Sequence, residues 1–213
     1  ETCHDAGAGF THPAGVDPHA GAVSCAACHA QTVVTCNSCH FESEINGDGK
    51  VFPKPPKTGW LMLANRLKRD GSGETEVYPA NFQSVKYIDP AIGDTATYVA
   101  FGFFTPHSIA NPGRGCPDCH ENRGGTIAAI DEYNTTGEIS IASWNGTTIV
   151  NPDGVVPIPE DYQTSLKFDF ATTNDLGTTW EFLQADADTI RIPTQYITPL
   201  TTDQMSSLGM DGP

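Results

Sequence analysis

The sequence predicts a loop-rich fold with little regular secondary structure, a few short helices, and short antiparallel strands toward the C-terminus. Three observations predict it. Turn-forming residues, 21 Gly and 16 Pro, are spread along the whole 213-residue chain. Hydrophobic residues make up only 38% of it, below the usual globular share. The pentad Cys-x-x-Cys-His occurs three times. The first two observations describe a chain short of side-chain core, which would stay disordered unless something else filled its interior. The third says what that filling is.

The pentads are Cys25-Ala26-Ala27-Cys28-His29, Cys36-Asn37-Ser38-Cys39-His40 and Cys116-Pro117-Asp118-Cys119-His120. Two thiols three positions apart on one turn can each add to a haem vinyl group, and the adjacent His then meets the iron as its proximal ligand. Zinc also takes paired Cys-x-x-Cys units, but it does not demand a His directly after every second cysteine. A disulfide framework has no reason to set its cysteines in three such pairs. The predicted fold class is therefore a multihaem cytochrome c, in which flat apolar discs replace missing side-chain core. The seventh cysteine, Cys3, is followed by His4. It has the form of a fourth pentad whose first cysteine precedes residue 1. The chain opens without an initiator Met or a charged-then-apolar leader, so a processed piece of a longer precursor is expected. The expectation is four haem c groups, three on complete motifs and one on the partial motif; a haem on a single thioether or a free thiol are the alternatives for Cys3.

Seven histidines are available for iron. His4, His29, His40 and His120 follow motif cysteines, which leaves His12, His19 and His107 as expected distal ligands. A second imidazole closes the sixth position and favours electron transfer over ligand chemistry. Four bis-His haems need eight histidines, so one ligand is unaccounted for. His12 and His19 flank Pro13, Gly15 and Pro18, which break any helix and favour a loop crossing haem faces. His107 follows Pro106 and precedes a turn at Asn111-Pro112-Gly113. Met62, Met205 and Met210 are competing distal ligands, but Met62 lies in an apolar run and the other two in a polar tail, where packing or a loose end is expected.

Residues 1–123 form the expected haem-binding region. Within it, residues 30–35 link two pentads over at most about 25 Å, which makes their haems neighbours. Residues 41–115 are a motif-free insertion: 50–57 a Pro-rich loop, 60–68 a short amphipathic helix, 98–104 a buried strand. Asn46-Gly47-Asp48-Gly49 reads as a turn, since its acidic residues do not recur at calcium-ligand spacing. Residues 124–213 are rich in Thr and Asp. Apolar alternation over 138–143, 166–170 and 189–192 predicts antiparallel hairpins packed on the haem core. Asn134 and Asn145 open glycosylation sequons.

A formal charge of −15, from 26 acidic and 11 basic residues, argues against nucleic acid and anionic membrane surfaces as partners. No apolar run is long enough for a membrane span. The haem motifs place the chain outside the cytoplasm.

Through its motifs and spare histidines, the stretch 1–120 resembles the extracellular filament-forming tetrahaem c-type cytochromes, the microbial nanowire cytochromes of the OmcE type. The tail is similar only in general character. The resemblance implies Cys25, Cys28, Cys36, Cys39, Cys116 and Cys119 as haem anchors, His29, His40 and His120 as proximal ligands, and His12, His19 and His107 as distal ones. It also implies a homopolymer with haem-to-haem contact, a distal His donated in trans from His12 or His19, and an extracellular or cell-surface location. The missing first cysteine and the eighth His depart from that pattern. The implied function is conduction of electrons to other redox proteins or extracellular acceptors, by an electron carrier with no catalytic residues. A monomeric periplasmic shuttle and a multihaem reductase with an open iron are the alternatives.

Overall fold

The computed structural model describes residues 17–31, 60–88, 91, 95–104, 109–110, 112–120, 126–144, 149–168, 170–172, 181–183, 190–193 and 197–213. Cys3, His4, His12, Cys36, Cys39, His40, His107 and the Asn145 sequon lie outside the described residues, as do the loop expected over 50–57 and the turn at 46–49.

The core is built on β1 (Trp60–Leu67), β2 (Thr75–Ile88) and β3 (Thr95–Phe103), joined as consecutive antiparallel neighbours. The helix expected over 60–68 is thus a strand. Its residues from Trp60 to Asn65 are buried on both faces of the sheet, and a short apolar run of that kind has no periodicity to separate helix from strand. The turn after β1 reverses the chain into β2: Gly71 and Gly73 adopt φ of 79° and 78°, and Asp70 Oδ1 accepts the Ser72 N–H at 2.9 Å. β3 falls on the strand expected at 98–104, with Val99 and Phe101 buried.

After α2 (Pro117–His120, described below) come α3 (Thr126–Thr136), β4 (Ile139–Trp144), β5 (Ile149–Val150) and β6 (Gly154–Pro157). They are followed by α4 (Tyr162–Ser165), β7 (Leu166–Phe168), β8 (Phe170–Thr172), β9 (Glu181–Leu183), β10 (Ile190–Pro193) and α5 (Thr202–Ser207). The strands foreseen in the tail are present, but their pairing is mixed. β6 joins β1 and β10 joins β3 in parallel, giving a five-stranded sheet of order β10-β3-β2-β1-β6. β4 pairs β7 in parallel and β5 antiparallel, and among the described residues of this region only β8–β9 and β4–β5 follow the antiparallel expectation. The large sheet therefore draws strands from both the insertion and the stretch after residue 124.

On one face of that sheet Trp60, Phe82 and Phe101 lie in a cross-strand row. Phe82 meets the Phe168 ring edge-on at 4.9 Å, and Phe101 meets Tyr162 at 5.6 Å. Such edge-to-face pairs add to the stability of burial itself. β2 is longer than β3, and its first residues extend past the β2–β3 pairing. Residues 22–24 use that edge: Val23 bridges Val77 in parallel, Ser24 N–H donates to Val77 O at 2.9 Å, and Val77 N–H donates to Ala22 O at 2.8 Å. That docking sets the position of the first described pentad.

Candidate haem sites

The pentad Cys25-Ala26-Ala27-Cys28-His29 forms the single-turn helix α1 (Cys25–His29). Ser24 caps it, its hydroxyl accepting the Ala27 N–H at 3.2 Å, and Ala27 buries the inner side against the core. One turn puts both thiols and the imidazole on neighbouring positions. The pentad at Cys116 repeats the arrangement, with Cys119 and His120 on α2 and Cys116 just before it; Asp118 Oδ2 accepts the Gly115 N–H at 2.8 Å.

Although far apart in sequence, the two pentads are joined by main-chain hydrogen bonds. Ala110 N–H donates to His29 O at 2.7 Å, Arg114 N–H donates to Cys28 O at 2.9 Å, and Ala30 bridges Ile109 antiparallel. The Arg114 guanidinium donates to the carbonyl oxygens of Ala27, Ala30 and Gln31 at the end of α1. These carbonyls are left without helical partners, and a cation at a helix C-terminus is favourable. Gly113 lies against the His29 ring so closely that a Cβ there would stand 2.8 Å from Cε1.

Both pentad imidazoles are held the same way. His29 Nδ1 lies 3.1 Å from Ala110 O, and His120 Nδ1 lies 2.8 Å from Ser207 O. A carbonyl can only accept, so each ring carries a proton on Nδ1. That tautomer is the one a metal-bound His adopts when its other nitrogen is fixed by the protein. Opposite His120 stands His19, its ring nearly parallel at 16° with centroids 6.0 Å apart. Asp17 shapes the turn that carries it, accepting the His19 and Gly21 N–H groups at 2.9 and 2.7 Å.

The four described cysteines are free thiols, Cys25 and Cys116 exposed, Cys28 and Cys119 partly buried. Burial pushes the Cys119 thiol up to about 11, with Cys28 adding and Arg114 opposing. Cys28 is raised first by burial, then opposed by Arg114 and reinforced by Asp17, Cys25 and Cys116. The two pentads therefore sit within one another's electrostatic field. Among the described residues no three His, Cys, Asp or Glu side chains converge as a metal-binding group. Paired thiols with an adjacent imidazole on one turn, and near them the exposed side chain of Ile109, 68% accessible, are a set that would suit a flat apolar ligand such as haem c.

Met62, Met205 and Met210 are buried in the core, which accounts for them as packing residues. The C-terminal tail is ordered by a capping box at Thr201 and Gln204. Arg114 and the Ser207 carbonyl are not marked in the sequence, and Asn134 is marked only as a sequon. Only the Pro112-Gly113 turn signal pointed near them, because main-chain acceptors carry no mark in a sequence. Among the described residues no helix is long and apolar enough to cross a membrane. Comparison with family models, with curated proteins and with solved structures found no match.

Proposed function

We propose that this chain is a multihaem c-type cytochrome that conducts electrons through bis-His haem c groups, assembled as an extracellular filament. The observation that carries the proposal is the His19–His120 pair. The two rings stack with their planes 16° apart and their centroids at 6.0 Å, which brings His19 beside the imidazole of the Cys116 pentad; to hold one iron between their Nε2 atoms the rings would turn edge to edge. One haem would be anchored by Cys116 and Cys119 with His120 and His19 on its two faces. A second would be anchored by Cys25 and Cys28 with His29 on one face. The remaining two would take Cys36, Cys39 and His40, and Cys3 and His4, with His12 and His107 as further distal ligands.

When bound, haem supplies a one-electron couple. The chain holds the groups in place: thiols tether them, carbonyls fix the imidazole tautomers, and Arg114 sets one pentad against the other. The pairing of His19 within its own chain leaves His12 as the candidate for donation to a neighbouring subunit. Because Cys25, Cys116 and His120 are exposed, haems on them would lie where a second copy or a redox partner can reach them, which supports conduction by contact.

The test is the colour and mass of exported protein. Sharp absorption of reduced low-spin haem is expected, with an intact mass above the 22.7 kDa polypeptide by the weight of the attached haems. Colourless protein of polypeptide mass overturns the proposal. Filaments should appear in electron microscopy; monomers alone at high concentration would leave a periplasmic shuttle.

A further inference from the structure

The C-terminal segment makes one contact with the proposed electron path, and the whole segment is built to hold it. Ser207 O, at the end of α5, accepts from His120 Nδ1 at 2.8 Å. Two asparagines from separate elements fix the segment that carries this carbonyl. From β1, buried Asn65 donates to Gln204 Oε1 at 2.7 Å and to Pro199 O at 2.8 Å, and accepts from Gln204 Nε2 at 3.0 Å. From α3, Asn134 donates to Gly209 O at 2.7 Å and accepts the N–H groups of Asp211 and Gly212 at 2.9 and 3.0 Å. Gly209 and Gly212 have φ of 73° and 80°, which lets the chain curl around that amide. Met205, Leu208 and Met210 are buried beneath it.

Resting on the haem proposal above, we infer that this segment is a clamp on an axial ligand, and that Asn134 is its positioning residue. The Ser207 carbonyl holds the proton on Nδ1 of His120 and increases the basicity of Nε2, the nitrogen assigned to iron. A more basic imidazole favours ferric over ferrous iron, so the clamp lowers the potential of this haem relative to one without it. Asn134 is thereby engaged through both ends of its amide.

The test uses the holoprotein. Asn134→Ala should raise the midpoint potential of one haem by the equivalent of a roughly tenfold change in ligand preference, ~59 mV for a one-electron couple. The other haems should stay put and all should remain low-spin. Asn134→Asp, which keeps the acceptor for Asp211 and Gly212 but loses the donor to Gly209, should shift it less. Deleting residues 209–213 removes the same three bonds from the other side and should reproduce the Ala result if the point variant folds poorly. As a control, Asn151→Ala removes an interior bond to Ile141 O, 2.6 Å long; it should move no potential. Unchanged potentials in both Asn134→Ala and the deletion overturn the inference, as does an equal shift in Asn151→Ala. Wild-type protein without haem sinks the functional proposal itself, a result distinct from either.

Discussion

Arg114 donates its main-chain N–H to the carbonyl of Cys28 at 2.9 Å, and from the same residue the guanidinium reaches the carbonyls of Ala27, Ala30 and Gln31. One side chain thus closes the end of the first described pentad helix while its backbone leads into the second. Burial lowers the pKa of Arg114 from its ordinary range, but the group stays charged at neutral pH because guanidinium titrates so high.

Arg114→Ala should leave these carbonyls without their charged donor. A loss of about 2 kcal/mol in unfolding free energy is expected for charge-assisted bonds of this kind, measured by denaturant titration of the holoprotein. Arg114→Lys should recover only part, because an ammonium lacks the planar fork. Equal stability of wild type and Arg114→Ala would show the clamp to be idle.

Gly113→Ala places a methyl group where the His29 ring now lies. Overpacking of this sort costs about 1–3 kcal/mol, and the ring has to move. The expected result is a change in the magnetic-resonance signal of one haem, with the others unaltered. A variant with unchanged spectrum and stability would contradict the close approach.

His19→Ala removes the imidazole facing His120. One haem should become high-spin in its ferric state, visible by electron paramagnetic resonance, while thioether attachment and haem count persist. Low-spin signals throughout would mean that another residue fills the sixth position.

The thiols make a separate test in chain produced without haem. Thiolate is the reactive form, so exposed Cys25 and Cys116 should be alkylated first near pH 8, and Cys119, raised to about 11, last. In haem-loaded protein none of the four should react even after unfolding, since thioethers have no free thiol. Peptide mass spectrometry reads both results.

Tyr133 predicts a pH dependence. Its hydroxyl donates to Asp161 Oδ1 at 3.0 Å, and burial followed by that bond pushes its pKa from 10.0 to about 12. The native state holds the proton more tightly than the unfolded state, so the stabilisation is full below pH 10. It declines as the unfolded chain ionises, and is lost as pH rises through about 12. Tyr133→Phe should flatten stability over that window; an unchanged alkaline slope would refute the assignment.

Some of this was legible from residue order alone. The pentads are legible because the chemistry expected of them, thioether attachment beside an imidazole, needs two cysteines and a histidine on one turn, a local requirement that local sequence can express. The strand over 98–104 was legible as a short apolar run and the strands in the tail by their alternation, both short-range properties. The strand at Trp60–Leu67 was not, because burial on both faces erases the period that distinguishes strand from helix.

By itself the sequence determined the cofactor chemistry to expect, the candidate ligands, and an acidic chain rich in turns. Only the tertiary structure decided which groups meet. It set His19 opposite His120, joined pentads from distant parts of the chain through Arg114, and brought the Ser207 carbonyl to an imidazole 87 residues away in sequence. Those relationships depend on parallel pairings and main-chain acceptors, which arise from long-range packing and leave no periodic trace in the order of residues.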